Sequence, residues 1–243
     1  MSGRVTLATS QRVLRQLRHD PRTVALLLVV PCVLMALLAW IVPSADFDHY
    51  GPMLLGIFPL IVMFLVTSVA TLRERTSGTL ERLLTLPMAK LDFLLGYGIA
   101  FGLAAIAQAL LVCGLCFGAL GLDVAGPVWC VVLVAVLVAL LGTALGLSVS
   151  ALANTEFQAV QFMPALILPQ LLLCGILGPR SELPTVLRWI SDLLPLTYAV
   201  DAMQQLTRYS DVSNQVWRDI VVIVGFTIAL LGAGAATLRR RTP

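Results

Sequence analysis

Residues able to do covalent or metal chemistry are few in this chain, and they stand apart. Cys113-Gly114-Leu115-Cys116 has the spacing of a redox or metal pair. It lies deep in a run without charge, with no histidine nearby, and Cys32, Cys130 and Cys174 fall in similar runs. A free cysteine in such surroundings behaves as a small hydrophobe, which is the reading adopted for all five. His19 and His49 are far apart, so no metal site is expected. Neither His-x-x-Glu-His nor Gly-x-Ser-x-Gly occurs, which leaves no catalytic set for an integral-membrane enzyme acting on lipid. The single lysine, Lys90, follows no glycine-rich loop, and Gly-x-x-x-x-Gly-Lys-Ser/Thr is missing, so the chain is not expected to hydrolyse ATP.

What remains is amide and ionic chemistry at a few places. Gln108, Gln158, Gln161 and Gln170 interrupt long apolar runs, and an amide in a membrane needs a partner or water. They are the candidates for the polar lining of a pathway. No charged residue lies near the centre of any apolar run, whereas proton- or sodium-coupled transport usually needs one. Secondary transport is therefore disfavoured, and any cargo is expected to be apolar or amphipathic.

The elements that carry these residues follow from the charges. Hydrophobic residues make up 59% of the 243 and charged residues 12%, with a mean hydropathy of +0.95. A soluble domain is about 45–50% apolar and about 25% charged. No charge falls between Arg22 and Asp46, and the other charge-free runs are 49–72, 93–122, 124–155, 157–179 and 220–238. Each approaches or exceeds the roughly 20 residues that cross a bilayer as a helix. Backbone groups in hydrocarbon must be satisfied internally, and these runs lack the alternation of barrel strands. The expected fold is an all-α membrane protein of six spans in one domain, 1–243, with spans at about 24–43, 53–72, 93–120, 128–152, 158–178 and 219–238. The first run starts late and lacks a small-x-small site, so a cleaved signal peptide is not expected.

Arg4, Arg12, Arg15, Arg18 and Arg22 precede the first span, Arg73, Arg75, Arg82 and Lys90 follow the second, and Arg239-Arg240-Arg241 follow the last. The loops at 44–52 and 121–127 have no basic residue. The positive-inside rule puts both termini and the 73–92 loop in the cytoplasm. Two segments fit less well: the turn near Asn154 lacks a basic residue, and the external 180–218 segment carries Arg180, Arg188, Arg208 and Arg218.

Three segments lie outside the spans. In 1–22, Leu7, Val13, Leu14 and Leu17 share one side of a helical wheel against arginines and glutamines, which predicts an amphipathic interfacial helix ending at Pro21. In 73–92, Gly78 opens a short helix, Glu81 favours its N-terminal turn, Leu80, Leu83 and Leu84 form a stripe, and Pro87 ends it. Two turns are not stable alone in water, so this helix docks on the protein's own ends or in a partner's groove. In 180–218, Val186, Leu187, Ile190, Leu193 and Leu194 make one amphipathic stretch, and Thr197 caps a second through Ala199, Val200, Met203 and Leu206. Together these predict a partly re-entrant helical hairpin over the outer mouth, with Trp189, Tyr198, Tyr209 and Trp217 in the interfacial belt.

The string Arg73-Glu74-Arg75-Thr76-Ser77-Gly78-Thr79-Leu80-Glu81-Arg82-Leu83-Leu84-Thr85-Leu86-Pro87 resembles the cytoplasmic signature of type-2 ATP-binding-cassette permeases. Leu194-Pro195-Leu196-Thr197-Tyr198-Ala199-Val200-Asp201-Ala202 resembles the motif ahead of that family's last span, in its drug-resistance (daunorubicin-type exporter) branch. One departure is that Gln204 and Gln205 follow this motif where the family usually has an arginine, and the next arginine is Arg208. The resemblance implies a dimer with a second copy or a paralogous permease, twelve spans, and two copies of a separate ATPase subunit that bind the ATP and magnesium. It also implies that Leu80, Leu83 and Leu84 enter a cleft on the ATPase, with Arg75, Glu81 and Arg82 at its rim and Gly78, Thr79 and Pro87 framing the helix. The expected setting is a bacterial-type inner membrane, with lipid and no nucleic acid as further partner. A permease of the same architecture exporting a surface polysaccharide or glycolipid is the alternative.

Overall fold

The computed structural model describes residues 3–76 and 90–237. The segment expected to couple to an ATPase, Gly78, Thr79, Leu80, Glu81, Arg82, Leu83, Leu84 and Pro87, lies outside the described residues, as do the C-terminal arginines. The described residues form an all-helical bundle without strands. Its elements are α1 (Gly3–His19), α2 (Pro21–Ile41), α3 (Ser44–Thr76), α4 (Lys90–Gly118), α5 (Val128–Leu152), α6 (Glu156–Leu173), α7 (Thr185–Asp192), α8 (Pro195–Arg208) and α9 (Asn214–Thr237). Six of these, α2, α3, α4, α5, α6 and α9, are long and apolar enough to cross a membrane.

Helix ends follow local chemistry. Asp20 caps α2: one carboxylate oxygen accepts from the Thr23 amide at 3.2 Å, the other from its hydroxyl at 2.6 Å. Pro21 supplies the first helical position, where its missing N–H costs nothing. The next turn is shorter than the acidic residues at 46 and 48 suggest. Pro43 accepts from the amides of Asp46 and Phe47, so α3 starts at Ser44 with Asp46 at its positive end. Asp48 accepts the amide of Asp123 from the neighbouring turn at 2.9 Å. At about 1.5 Å per residue, α3 is roughly 50 Å long and outreaches the roughly 30 Å hydrocarbon layer.

α5 is the centre of the bundle. Most of its residues are buried, including Val134, Val138, Leu141 and Leu145, and it packs along α3. The close approach is made possible by glycine. A Cβ on Gly142 would lie 2.4 Å from the Leu60 carbonyl oxygen, and one on Gly146 would lie 2.7 Å from that of Phe64. The Gly-x-x-x-Gly pair at 142 and 146 thus packs within the chain, as small residues do between membrane helices. α9 joins the other side of α5, where the Ser148 hydroxyl donates to the Leu230 carbonyl at 2.7 Å. α2 and α6 are peripheral. On α6 only Ala159, Ile167 and Gln170 are buried, and both Pro164 and Pro169 lie within the helix.

The expected interfacial helix is docked on the bundle. Thr6, Thr9, Ser10 and Val13 of α1 are buried, and Thr9 lies where a Cβ of Gly96 would be, at 2.7 Å. Leu7 is exposed. The small hydroxyl-bearing face fits the glycine on α4 better than a leucine would, which turns Leu7 outward.

Candidate functional site

Two polar clusters sit at opposite ends of the bundle. At the end that carries α1, the last turn of α3 and the first described turns of α4 are tied to α1. Arg12 donates to Tyr97 at 2.9 Å and to Glu74 at 3.4 Å, and Gln16 donates to the other Glu74 oxygen at 2.9 Å. The Arg12 guanidinium also lies 6.0 Å from the Tyr97 ring centre, within cation–π range. The residue before Glu74 on α3, Arg73, forms two 3.0 Å bonds to Glu156, which joins α3 to the start of α6. Arg12 thus joins α1 to both α3 and α4.

At the far end, Arg180 bonds both Asp192 and Asp201. Burial pushes the Asp201 carboxyl above the usual carboxylate range, against the pull of Arg180. Tyr198 donates to the Asp192 carbonyl at 2.7 Å, and its phenol is raised by burial and by the Asp192 charge. Thr197 donates to the Ser191 carbonyl at 2.8 Å, and Ser191 in turn donates to the Leu173 carbonyl at 2.9 Å. Pro195 begins α8 and is buried with Leu196 and Thr197. These bonds tie α6, α7 and α8 into one cap. Gly175, at φ +92°, makes the turn that leads out of α6. Its carbonyl accepts from Gln204 at 3.1 Å, so Gln204 faces the cap from α8.

The four glutamines have four different surroundings. Gln170 is buried, donates to the Leu166 carbonyl at 2.9 Å and accepts the Leu196 amide at 3.3 Å. Gln108 is buried and donates to the Leu27 carbonyl at 2.7 Å, while its own side-chain carbonyl oxygen has no partner among the described residues. Gln158 accepts the Asn154 amide at 2.8 Å at the α1 end of α6. Gln161 is exposed on α6. Cys113 and Cys116 are buried free thiols on α4, and no group of three potential metal ligands occurs among the described residues.

A family model described as ABC-2 type transporter matches residues 4–207. The chain belongs to the ABC-2 type transporter family. It is thus a multi-pass membrane protein built on six apolar helices. Among relatives, the probable multidrug ABC transporter permease YbhR of Escherichia coli K12 is 26% identical over 203 residues, covering 83% of this chain and 55% of the relative. The inner membrane transport permease YhhJ of the same strain is 26% identical over 200 residues, 78% of this chain and 52% of the relative. ABC transporter G family member 20 of Dictyostelium discoideum is 24% identical over 202 residues, 82% of this chain and 28% of the relative. The chain spans about half the length of the bacterial relatives it matches.

Within this ABC-2 bundle, the structure adds residues that the motifs did not flag. Arg12, Gln16 and Tyr97 complete the clamp around Glu74, and Arg180 is the cation for Asp201. Arg180 had a visible signal, as the first basic residue of an acid-rich external segment. Asp219 had none. It is fully buried near the start of α9, with one oxygen held by Arg218 at 2.9 Å and the other without a partner among the described residues.

Proposed function

We propose that this chain is the membrane-spanning subunit of an ATP-binding-cassette exporter that moves a hydrophobic or amphipathic compound out of the cytoplasm or the inner leaflet. The observation that carries the reading is the family match across 4–207, which encloses the signature at 73–87. ATP and magnesium bind to a separate ATPase subunit, two copies of which serve two permease copies. The α1 end faces the cytoplasm of a bacterial-type cell, and the cap of α7 and α8 is a re-entrant hairpin at the outer mouth.

The clamp at the α1 end supports the coupling step. A push on residues 77–89 acts on Glu74 and Tyr97, and both are held to α1 through Arg12. The load therefore reaches α1, α3 and α4 together, as a rigid-body switch between inward- and outward-facing states requires. α6 supports the dimer. Phe157, Leu168 and Leu172 are exposed on it beside Gln161, a surface that a second copy covers while leaving the amide toward a shared path.

The test is co-expression with the ATPase encoded beside this chain. The two should co-purify, and Leu83→Asp with Leu84→Asp should abolish the effect of the chain on ATP hydrolysis while membrane insertion persists. A wild-type chain that neither binds that ATPase nor alters its hydrolysis would refute the reading.

A further inference from the structure

A cavity of about 600 Å³ opens among α1, α2, α3 and α4, with Val160 of α6 at its edge. Its lining is graded. Gln16, Asp20, Arg73 and Glu74 border it at the level of α1, and Leu26, Leu65 and Phe101 line it toward the middle of the bundle. Nine residues of α3 separate Glu74 from Leu65, a rise of roughly 14 Å, so the cavity passes from the headgroup level well into the hydrocarbon layer. Leu26 and Val160 are exposed on its open side. The volume is that of a site for one drug-sized molecule.

The polar end is electrostatically uneven. Arg73 is matched by Glu156 and Glu74 by Arg12, whereas Asp20 has no cation within ion-pair distance among the described residues. Its side-chain partner is Thr23, whose bonds hold the Asp20 carboxyl below the usual range, so it stays ionised at neutral pH. Arg73 acts on Asp20 from further away and is already engaged in two bonds to Glu156.

We propose that this cavity binds an amphiphile with a single cationic head and a compact apolar body. The head lies at Asp20, and the body lies between Leu26, Leu65 and Phe101. The proposal deepens the export reading by naming a cargo class and rests on that reading only for the direction of movement. Binding is a property of this chain alone. Glu74 and Tyr97 also border the cavity, so an occupant reaches the Arg12 clamp that ties α1 to α3 and α4.

The experiment uses the full chain with its ATPase in phosphatidylcholine nanodiscs and three photoreactive decyl probes with trimethylammonium, hydroxyl or carboxylate heads. Cross-linked peptides are mapped by mass spectrometry, and affinity is read by competition with the matching unlabelled amphiphile. The ammonium probe should label residues 20–26 and 65–74 saturably. Asp20→Asn keeps the helix cap and should weaken that probe roughly five- to ten-fold, leaving the hydroxyl probe unchanged. Ala70→Phe, which fills the cavity from α3, should abolish saturable labelling by all three. The proposal is overturned if the three heads bind equally well, if Asp20→Asn leaves the ammonium affinity unchanged, or if labelling falls elsewhere. A chain that couples to its ATPase but shows no labelling leaves the export reading standing without this site. Labelling as expected in a chain that does not couple leaves the site standing without export.

Discussion

Replacing Gly142 by alanine tests the central contact of the bundle. The added Cβ would meet the Leu60 carbonyl oxygen at 2.4 Å and the Leu60 Cα at 2.9 Å, and both are backbone atoms that cannot rotate away. Ordinary contact begins near 3.4 Å, so α3 and α5 must separate by about 1 Å at this point. A gap of that size forfeits roughly a quarter to a half of the dispersion attraction of each facing pair. Overpacking of this kind costs about 1–3 kcal/mol, which in a chain of this length corresponds to a fall in Tm of roughly 2–12 °C. Thermal unfolding in detergent, followed by loss of the monodisperse peak, reads it directly. Gly114→Ala is the matched control: nothing lies within 4 Å of its Cβ position, and alanine there should leave Tm unchanged or slightly raised. Trimming Leu60 to alanine should not rescue Gly142→Ala, because the clash is with backbone. A Gly142→Ala protein as stable as wild type would refute the close approach of α3 and α5.

Two further outcomes concern the cap. Arg180→Gln removes the cation from the largely buried Asp201 and should cost about 2–4 kcal/mol in the same unfolding assay. Adding Asp201→Asn should recover much of that loss, since the stranded charge is then gone. The pH dependence has a defined sign. Asp201 binds its proton more tightly folded than unfolded, so its contribution favours the native state at low pH and declines as pH rises above roughly 3.9 through the raised folded value. Asp201→Asn should flatten that part of the stability curve relative to wild type.

The six spans were legible because hydropathy is a local property: a run without charge for twenty residues has few other folds open to it. Pro195 marked the start of α8 by its own chemistry, but Thr197 does not cap that helix: Leu194 is the N-cap without a side-chain bond, and Thr197, inside the first turn, donates to the Ser191 carbonyl instead. Partners were not legible. Arg12 finds Glu74 and Tyr97 across 62 and 85 residues, and Arg180 finds Asp201 across 21, distances that depend on how the helices cross. The glutamines show the same limit. By type Gln108, Gln161 and Gln170 are equivalent interruptions of an apolar run, yet Gln108 and Gln170 are buried within the chain and Gln161 is exposed. The start of α3 was obscured because Asp46 and Asp48 look like loop residues, although the first is well placed for a helix dipole and the second is held by an amide from the next turn.

The docking of α1 on Gly96 has a consequence for synthesis. The face of α1 that carries Thr6, Thr9 and Val13 has its partner on α4, which leaves the ribosome long after α1 does. Until the third span is in place, the N-terminal helix has only the membrane surface to cover that face. Its capture by α4 then closes the N-terminal half of the bundle, so a chain stalled after two spans differs from a completed one in the accessibility of α1 to the quality-control proteases of the cell.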